Sequence, residues 1–171
     1  MVTANILFYS LIVVGFYFVI ISYWLVAEAL FPDFIESCRR KYESNPIKST
    51  GFGVIVGVPV LAVALALAAH AANPIIKIFG LGLISLFIIA SMIGSTGLCR
   101  QIGIGLGSPT DDAQPWRRVL RGGSVLGLTF ALPFVGWFAV MPWTLLSGLG
   151  VFMGAYFTRT QTTARTHPAA A

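Results

Sequence analysis

Charge is what this 171-residue chain lacks most. Only 10% of its residues are charged, while 57% are hydrophobic. Soluble domains carry about 25% charged residues, so the composition alone argues for burial in a membrane. Histidine and cysteine are almost as scarce, with two of each. Cys38 and Cys99 stand alone, with no CxxC and no Cys/His cluster, so neither a zinc site nor a disulfide framework is indicated. No nucleophile–base pair and no metal-ligand set can be read from the spacing, so an enzyme is not expected. The net charge is +5. In a soluble protein that would point to nucleic acid. Here the basic residues lie in short segments between apolar runs, where they set orientation against the anionic leaflet, and no nucleic-acid partner is expected.

What the chain has in abundance is long apolar runs. Gly123 to Phe157 holds no charged side chain. About 20 apolar helical residues cross a bilayer core, so this run is too long for one ordinary span. Pro133, Gly136 and Pro142 interrupt it, which predicts a helical hairpin with spans over 116–133 and 138–157. Earlier runs predict spans over 6–27, 51–72 and 75–98. The expected fold is an all-α polytopic transmembrane helical bundle of four or five spans, forming a single membrane domain over 1–157. A disordered polar tail is expected over 158–171.

Between the first two spans, Phe34, Cys38 and Tyr42 share one helical face with Ile35 beside it, and Arg39, Arg40 and Lys41 lie mostly on the other side. That pattern predicts an amphipathic helix over about 33–44, lying on the membrane surface. Asp33 and Glu36 resemble a capping box at its start. In the first span, Tyr9 at one end and Tyr23 and Trp24 at the other suit the two interfacial belts, and Glu28 is expected in the headgroup region. Asp111 and Asp112 precede Pro115, which suits the first turn of the hairpin's leading helix.

Topology follows from counting. With five spans and the N-terminus outside, Arg39, Arg40, Lys41, Lys48, Arg100, Arg117, Arg118, Arg121, Arg159 and Arg165 share one side and Lys77 is alone on the other. That is a strong positive-inside bias. It predicts a multi-pass protein of a cytoplasmic membrane with its basic loops and C-terminus inside. Arg39, Arg40, Lys41, Arg117, Arg118 and Arg121 are the candidate contacts to anionic lipid headgroups.

The candidate packing residues are Gly53, Gly57, Gly123, Gly127, Gly150 and Gly154, with Gly148 beside them. Small residues let helix backbones approach closely. Both packing within the chain and packing against another subunit, in a homo- or hetero-oligomer, fit that pattern. Gly103, Gly105 and Gly107 lack the Lys-Ser/Thr of a phosphate-binding loop and do not follow a strand, so a flexible or closely packed loop is the better reading. His70 is the candidate axial ligand for haem or chlorophyll magnesium, although the bland alternative of an interfacial histidine is preferred and no cofactor beyond lipid is expected.

Several short stretches resemble a known pattern: Gly57-Val58-Pro59, Arg100-Gln101-Ile102-Gly103, Pro115-Trp116, Leu132-Pro133-Phe134-Val135-Gly136-Trp137 and Ser147-Gly148-Leu149-Gly150. Over about 51–157 the chain resembles the small bacterial inner-membrane domain associated with bactofilin-type polymer-forming proteins. The resemblance implies a membrane bundle and a scaffolding role in a bacterial inner membrane, and it carries no catalytic residues. The leading expectation is a non-catalytic accessory or scaffolding subunit that packs against partner transmembrane helices. The alternatives are a small transporter or channel, resting on Ser85, Ser91, Thr129, Thr144 and Ser147, and a pigment- or cofactor-binding subunit resting on His70.

Overall fold

The computed structural model describes residues 2–70, 73–107, 114–132 and 134–166. They form an all-α bundle of six helices: α1 (Val2–Leu30), α2 (Pro32–Ser44), α3 (Pro46–His70), α4 (Pro74–Gly105), α5 (Pro115–Phe130) and α6 (Met141–Thr166). A π-helical turn, Gly136–Val140, leads into α6. Among the described residues, four stretches are long and apolar enough to cross a bilayer: Asn5–Leu30, Pro46–His70, Pro74–Gly105 and Gly136–Thr158.

Proline sets most of the helix starts. Pro32, Pro46, Pro74 and Pro115 each open a helix, where the missing N–H is not needed and the fixed φ is already helical. Asn73 adds a side-chain cap, its Oδ1 accepting from the Ile75 N–H at 2.9 Å. Pro142 is handled differently. In a regular α-helix its ring would meet the carbonyl four residues back. The wider π-turn directly before it relieves that clash. Pro59 lies inside α3, which continues through it.

Helix α4 is the hub and touches each of the other five helices. It runs parallel to α1: Tyr23, Trp24 and Glu28 meet Ile89, Ser95 and Arg100 in the same order. Trp24 forms the centre of one core cluster with Ile20, Ile21, Cys99, Val119 and Leu126. Its indole N–H donates to the Ser95 hydroxyl at 3.1 Å, and its ring fills the space over Gly123. Trp24 is 1% exposed, which corrects its expected place in an interfacial belt. Burial of a large ring with a partner for its N–H outweighs the headgroup preference.

Other boundaries differ from the sequence reading. Helix α4 ends at Gly105, seven residues beyond the predicted span, because Cys99 to Gly103 pack against α5 instead of looping out. The polar tail from Thr158 is helical as far as Thr166, which corrects the disorder expected there. Residues 167–171 lie outside the described residues, as do Asp111, Asp112 and Pro133. The N-cap of α2 is Phe31 with no side-chain cap, so Asp33 and Glu36 do not form the expected capping box. Pro32 at the first helical position leaves fewer N–H groups there to satisfy.

The predicted span over 116–133 becomes α5, a helix of 16 residues. At 1.5 Å per residue that is about 24 Å, short of a bilayer core of about 30 Å. Its first turns carry Arg117, Arg118 and Arg121, and its backbone at Arg118 lies against Gly103. The hairpin tip follows, with the Leu132 and Gly136 backbones bonded at 3.0 Å. The two arms pack mainly on α4: α5 lies against α1 and α4, and α6 against α3 and α4.

Candidate functional site: the basic end of the bundle

Helix α2, expected on the lipid surface, docks on the protein instead. Ile35, Cys38 and Tyr42 are buried, and Cys38 and Tyr42 cluster with Val151 and Ala155 of α6. Gly97 makes this possible, because a side chain there would meet the Cys38 Cβ and the Arg39 backbone nitrogen. The Tyr42 hydroxyl donates to the Ser147 hydroxyl at 3.1 Å. Burial pushes the Tyr42 hydroxyl well above the usual phenol range and the Cys38 thiol up to about 12.

A chain of charges ties α2 to the ends of α1 and α4. Glu28 is only 3% exposed, and its Oε1 accepts from Arg100 Nη1 at 2.8 Å. Burial of this carboxylate corrects the expected headgroup placement: α4 brings a guanidinium to it, so it need not reach water. Arg100 also lies 3.5 Å from Glu36. Arg39 binds Glu36 at 2.7 Å, Glu43 at 2.8 Å and Gln101 at 3.1 Å. Arg40 takes the same Glu36 oxygen at 3.1 Å. Glu28 Oε2 and Arg100 Nε are buried with no hydrogen-bond partner among the described residues.

This network makes the docking of α2 sensitive to acid. Hydrogen bonds from Arg39 hold the Glu36 carboxyl down to about 2 from an ordinary 4.5. A carboxyl whose folded value lies below its unfolded one stabilises the fold above the unfolded value, and that contribution fades as pH falls toward the folded value. Helix α2 is therefore expected to stay docked at neutral pH and to loosen below about pH 4. The buried Cys38 is the reporter. A pyridyl disulfide, which reacts in acid, is expected to leave it untouched near neutrality and to label it once α2 lifts. Equal labelling at both pH values would count against the latch.

The candidate headgroup cations separate into distinct roles. Arg39 is committed to acids and to Gln101. Arg40 keeps most of its surface free, at 73% exposed. Lys41 makes no ion pair among the described residues, and its stem lies across Gly154 of α6 at 3.9 Å from where a Cβ would sit. With Asp33, Ser37, Ser44, Ala155 and Thr158, these two cations line a polar pocket of about 560 Å³. On α5, the Arg117 guanidinium sits 5.5 Å from the Trp116 ring centre, and Arg121 reaches the Leu106 carbonyl at 3.5 Å.

The candidate packing glycines all meet this chain's own atoms. Gly53 lies against the Leu146 carbonyl, Gly150 against the Ser49 carbonyl and Gly148 against the Ser91 carbonyl. Gly57 meets Leu146, Leu149 and Phe87, Gly123 meets Trp24, and Gly127 meets the Tyr17 ring. His70 is exposed at the end of α3, and no group of three potential metal ligands occurs among the described residues. The candidate pore hydroxyls Thr129 and Thr144 donate to carbonyls of their own segments at 2.8 and 2.9 Å.

A second cavity, of about 650 Å³, opens at the hairpin tip. The outer half of α1 and the π-turn wall it, with Tyr9, Phe16, Tyr17, Phe130, Trp137 and Met141 among its lining residues. No residue from Asn5 to Val19 is buried. The inner half of the same helix carries Ile20, Ile21, Trp24 and Ala27 in the core.

The Glu28–Arg100 pair is hidden in the sequence because the two residues lie 72 positions apart. The available signal is that each is a lone charge at the end of an apolar run, on spans of the same direction. The chain matches no family model, no curated protein and no solved structure.

Proposed function

We propose that this chain is a non-catalytic accessory or scaffolding subunit of a membrane assembly, with its basic end in the cytoplasm, and that it receives a partner transmembrane helix along the outer half of α1. The observation that carries this reading is the bare stretch from Asn5 to Val19. The candidate packing glycines already meet this chain's own atoms, whereas Gly15, on the outer half of α1, meets nothing within 4 Å. In lipid, apolar faces gain little by merely leaving lipid, and helix association depends on surface fit. The outer half of α1 offers a shaped surface. Its inner half is locked into the core by Trp24, and the π-turn beside it forms the second wall of an apolar cavity. The resemblance to bactofilin-associated membrane domains supports the same role, in a bacterial inner membrane. The basic cluster supports the orientation by the positive-inside rule.

Blue-native electrophoresis in mild detergent tests the reading. The wild-type chain is expected to run in a discrete complex, well above its own 18.4 kDa. Replacing Ile12 and Phe16 together by alanine trims the cavity wall without adding charge, and is expected to release the lone chain. Migration of the wild type as an isolated monomer would overturn the proposal.

A further inference from the structure

The polar pocket between α2 and α6 has a division of chemistry that points to a ligand. On one side stand two cations, Arg40 and Lys41. Arg40 gives Nε to Glu36, and its two terminal amino groups remain for a ligand. Lys41 has three donors and no ion pair among the described residues. The Lys41 stem lies alongside Gly154 of α6.

The rest of the pocket accepts. Asp33 brings a carboxylate. Two of its hydroxyls donate their single protons to backbone carbonyls: Ser37 to Asp33 at 2.9 Å and Ser44 to Lys41 at 3.3 Å. What such a hydroxyl can still offer is lone pairs. A bare inorganic phosphate would satisfy the cations and face the carboxylate. The pocket calls instead for an anion joined to a cationic hydrogen-bond donor.

Its position supplies the source. Thr158 is the last residue of the apolar span that begins at Gly136, so the pocket sits where the bilayer meets water. Tyr156 and Phe157 are exposed beside it, as aromatic residues are at that level. The volume of about 560 Å³ falls within the usual range of small-ligand pockets, about 300–1,000 Å³.

We propose that this pocket binds the headgroup of an amine-bearing phospholipid, with Arg40 and Lys41 on the phosphodiester and Asp33 on the ammonium group. The lipid pins α2 to α6 from outside, across the same seam that Tyr42 and Ser147 close from within. The site requires only that the chain is in a membrane. Loss of the partner-subunit reading in the electrophoresis test would leave it standing.

Native mass spectrometry of the detergent-purified chain, titrated with single lipids, tests the site. Phosphatidylethanolamine is expected to be retained over phosphatidylcholine, which carries the same phosphate and charge but no donor on its nitrogen. Lys41→Gln removes a charge-assisted bond and is expected to weaken retention about tenfold, whereas Lys41→Arg keeps it. Asp33→Asn is expected to keep phosphodiester binding and lose the preference between the two lipids, a result that misfolding would not give. Lys48→Gln, at the same end but outside the pocket, is expected to change nothing. An unlabelled Cys38 in each variant shows that α2 is still docked. Equal retention of the two lipids by the wild type would overturn the assignment. Displacement by free phosphoethanolamine at the lipid's own concentration would overturn the lipid as the occupant.

Discussion

Arg100→Leu is expected to destabilise the bundle by about 3–5 kcal/mol, because it strands the Glu28 carboxylate without a counter-ion. Glu28 is 3% exposed and Arg100 binds it at 2.8 Å. Removing one member of a buried pair leaves a charge that neither water nor protein neutralises. Removing both is a different experiment. The double variant Glu28→Gln with Arg100→Leu leaves no buried charge, and is expected to recover most of the loss, to within about 1–2 kcal/mol of the wild type. Glu36 keeps Arg39 and Arg40 in that background, so the α2 network survives. Reversible unfolding in mixed micelles, followed by circular dichroism, compares the wild type, Arg100→Leu and the double variant. A single-variant loss below about 1 kcal/mol, the value of an exposed pair, would mean that water reaches Glu28 and that the pair is not a structural tie.

Gly94→Ala is expected to cost about 2–3 kcal/mol, the upper end of what overpacking usually costs. At the crossing of α4 and α6 a Cβ on Gly94 would fall on the Gly148 carbonyl, and one on Gly148 would fall on the Ser91 carbonyl. The obstacle on both sides is backbone, so no side chain can turn aside and the helices must separate. Gly82 lies on the same helix, and a Cβ there would meet nothing within 4 Å. Gly82→Ala is expected to be stabilising by about 0.5–1 kcal/mol, since alanine is the better helix former. Opposite signs from the same substitution on one helix separate close approach from helix propensity. The same micelle unfolding assay reads both, and a loss of similar size at both positions would refute the close-approach account.

These two ties show where the sequence is and is not readable. The four apolar spans announce themselves through length and lack of charge, and prolines 32, 46, 74 and 115 punctuate the helix starts. The glycines at 53, 57, 123, 127 and 150 are legible as contact points. Which surface each meets is not legible, because a glycine carries no information about its neighbour. Helix α2 shows the same limit. Its apolar face is evident from Phe34, Cys38 and Tyr42, yet an apolar face fits a bilayer and a protein groove equally well. Gly97, far along the chain, decides for the protein by opening the groove that seats Cys38. The polar helical face of Arg39 suggests a headgroup contact. Glu36, Glu43 and Gln101 claim that side chain once the helices are assembled.

The short reach of α5 is harder to foresee. An uncharged run of this length reads as two full spans, and hydropathy does not register that the first arm begins with three arginines held at the level of Gly103. The bare outer half of α1 follows from that shortfall, because α5 covers the inner half of α1 and stops.

By itself the sequence determined that this is an all-helical membrane bundle and where its long apolar runs lie. Those properties are local sums of hydropathy, propensity and charge, and they survive any arrangement of the helices. Only the tertiary structure decided which charges are buried in pairs, which glycines face which backbone, and that Asp33, Arg40 and Lys41 share a pocket with the end of α6. Those depend on residues far apart in the chain meeting at a few ångströms, where the low dielectric and close packing of the interior give each contact its energy.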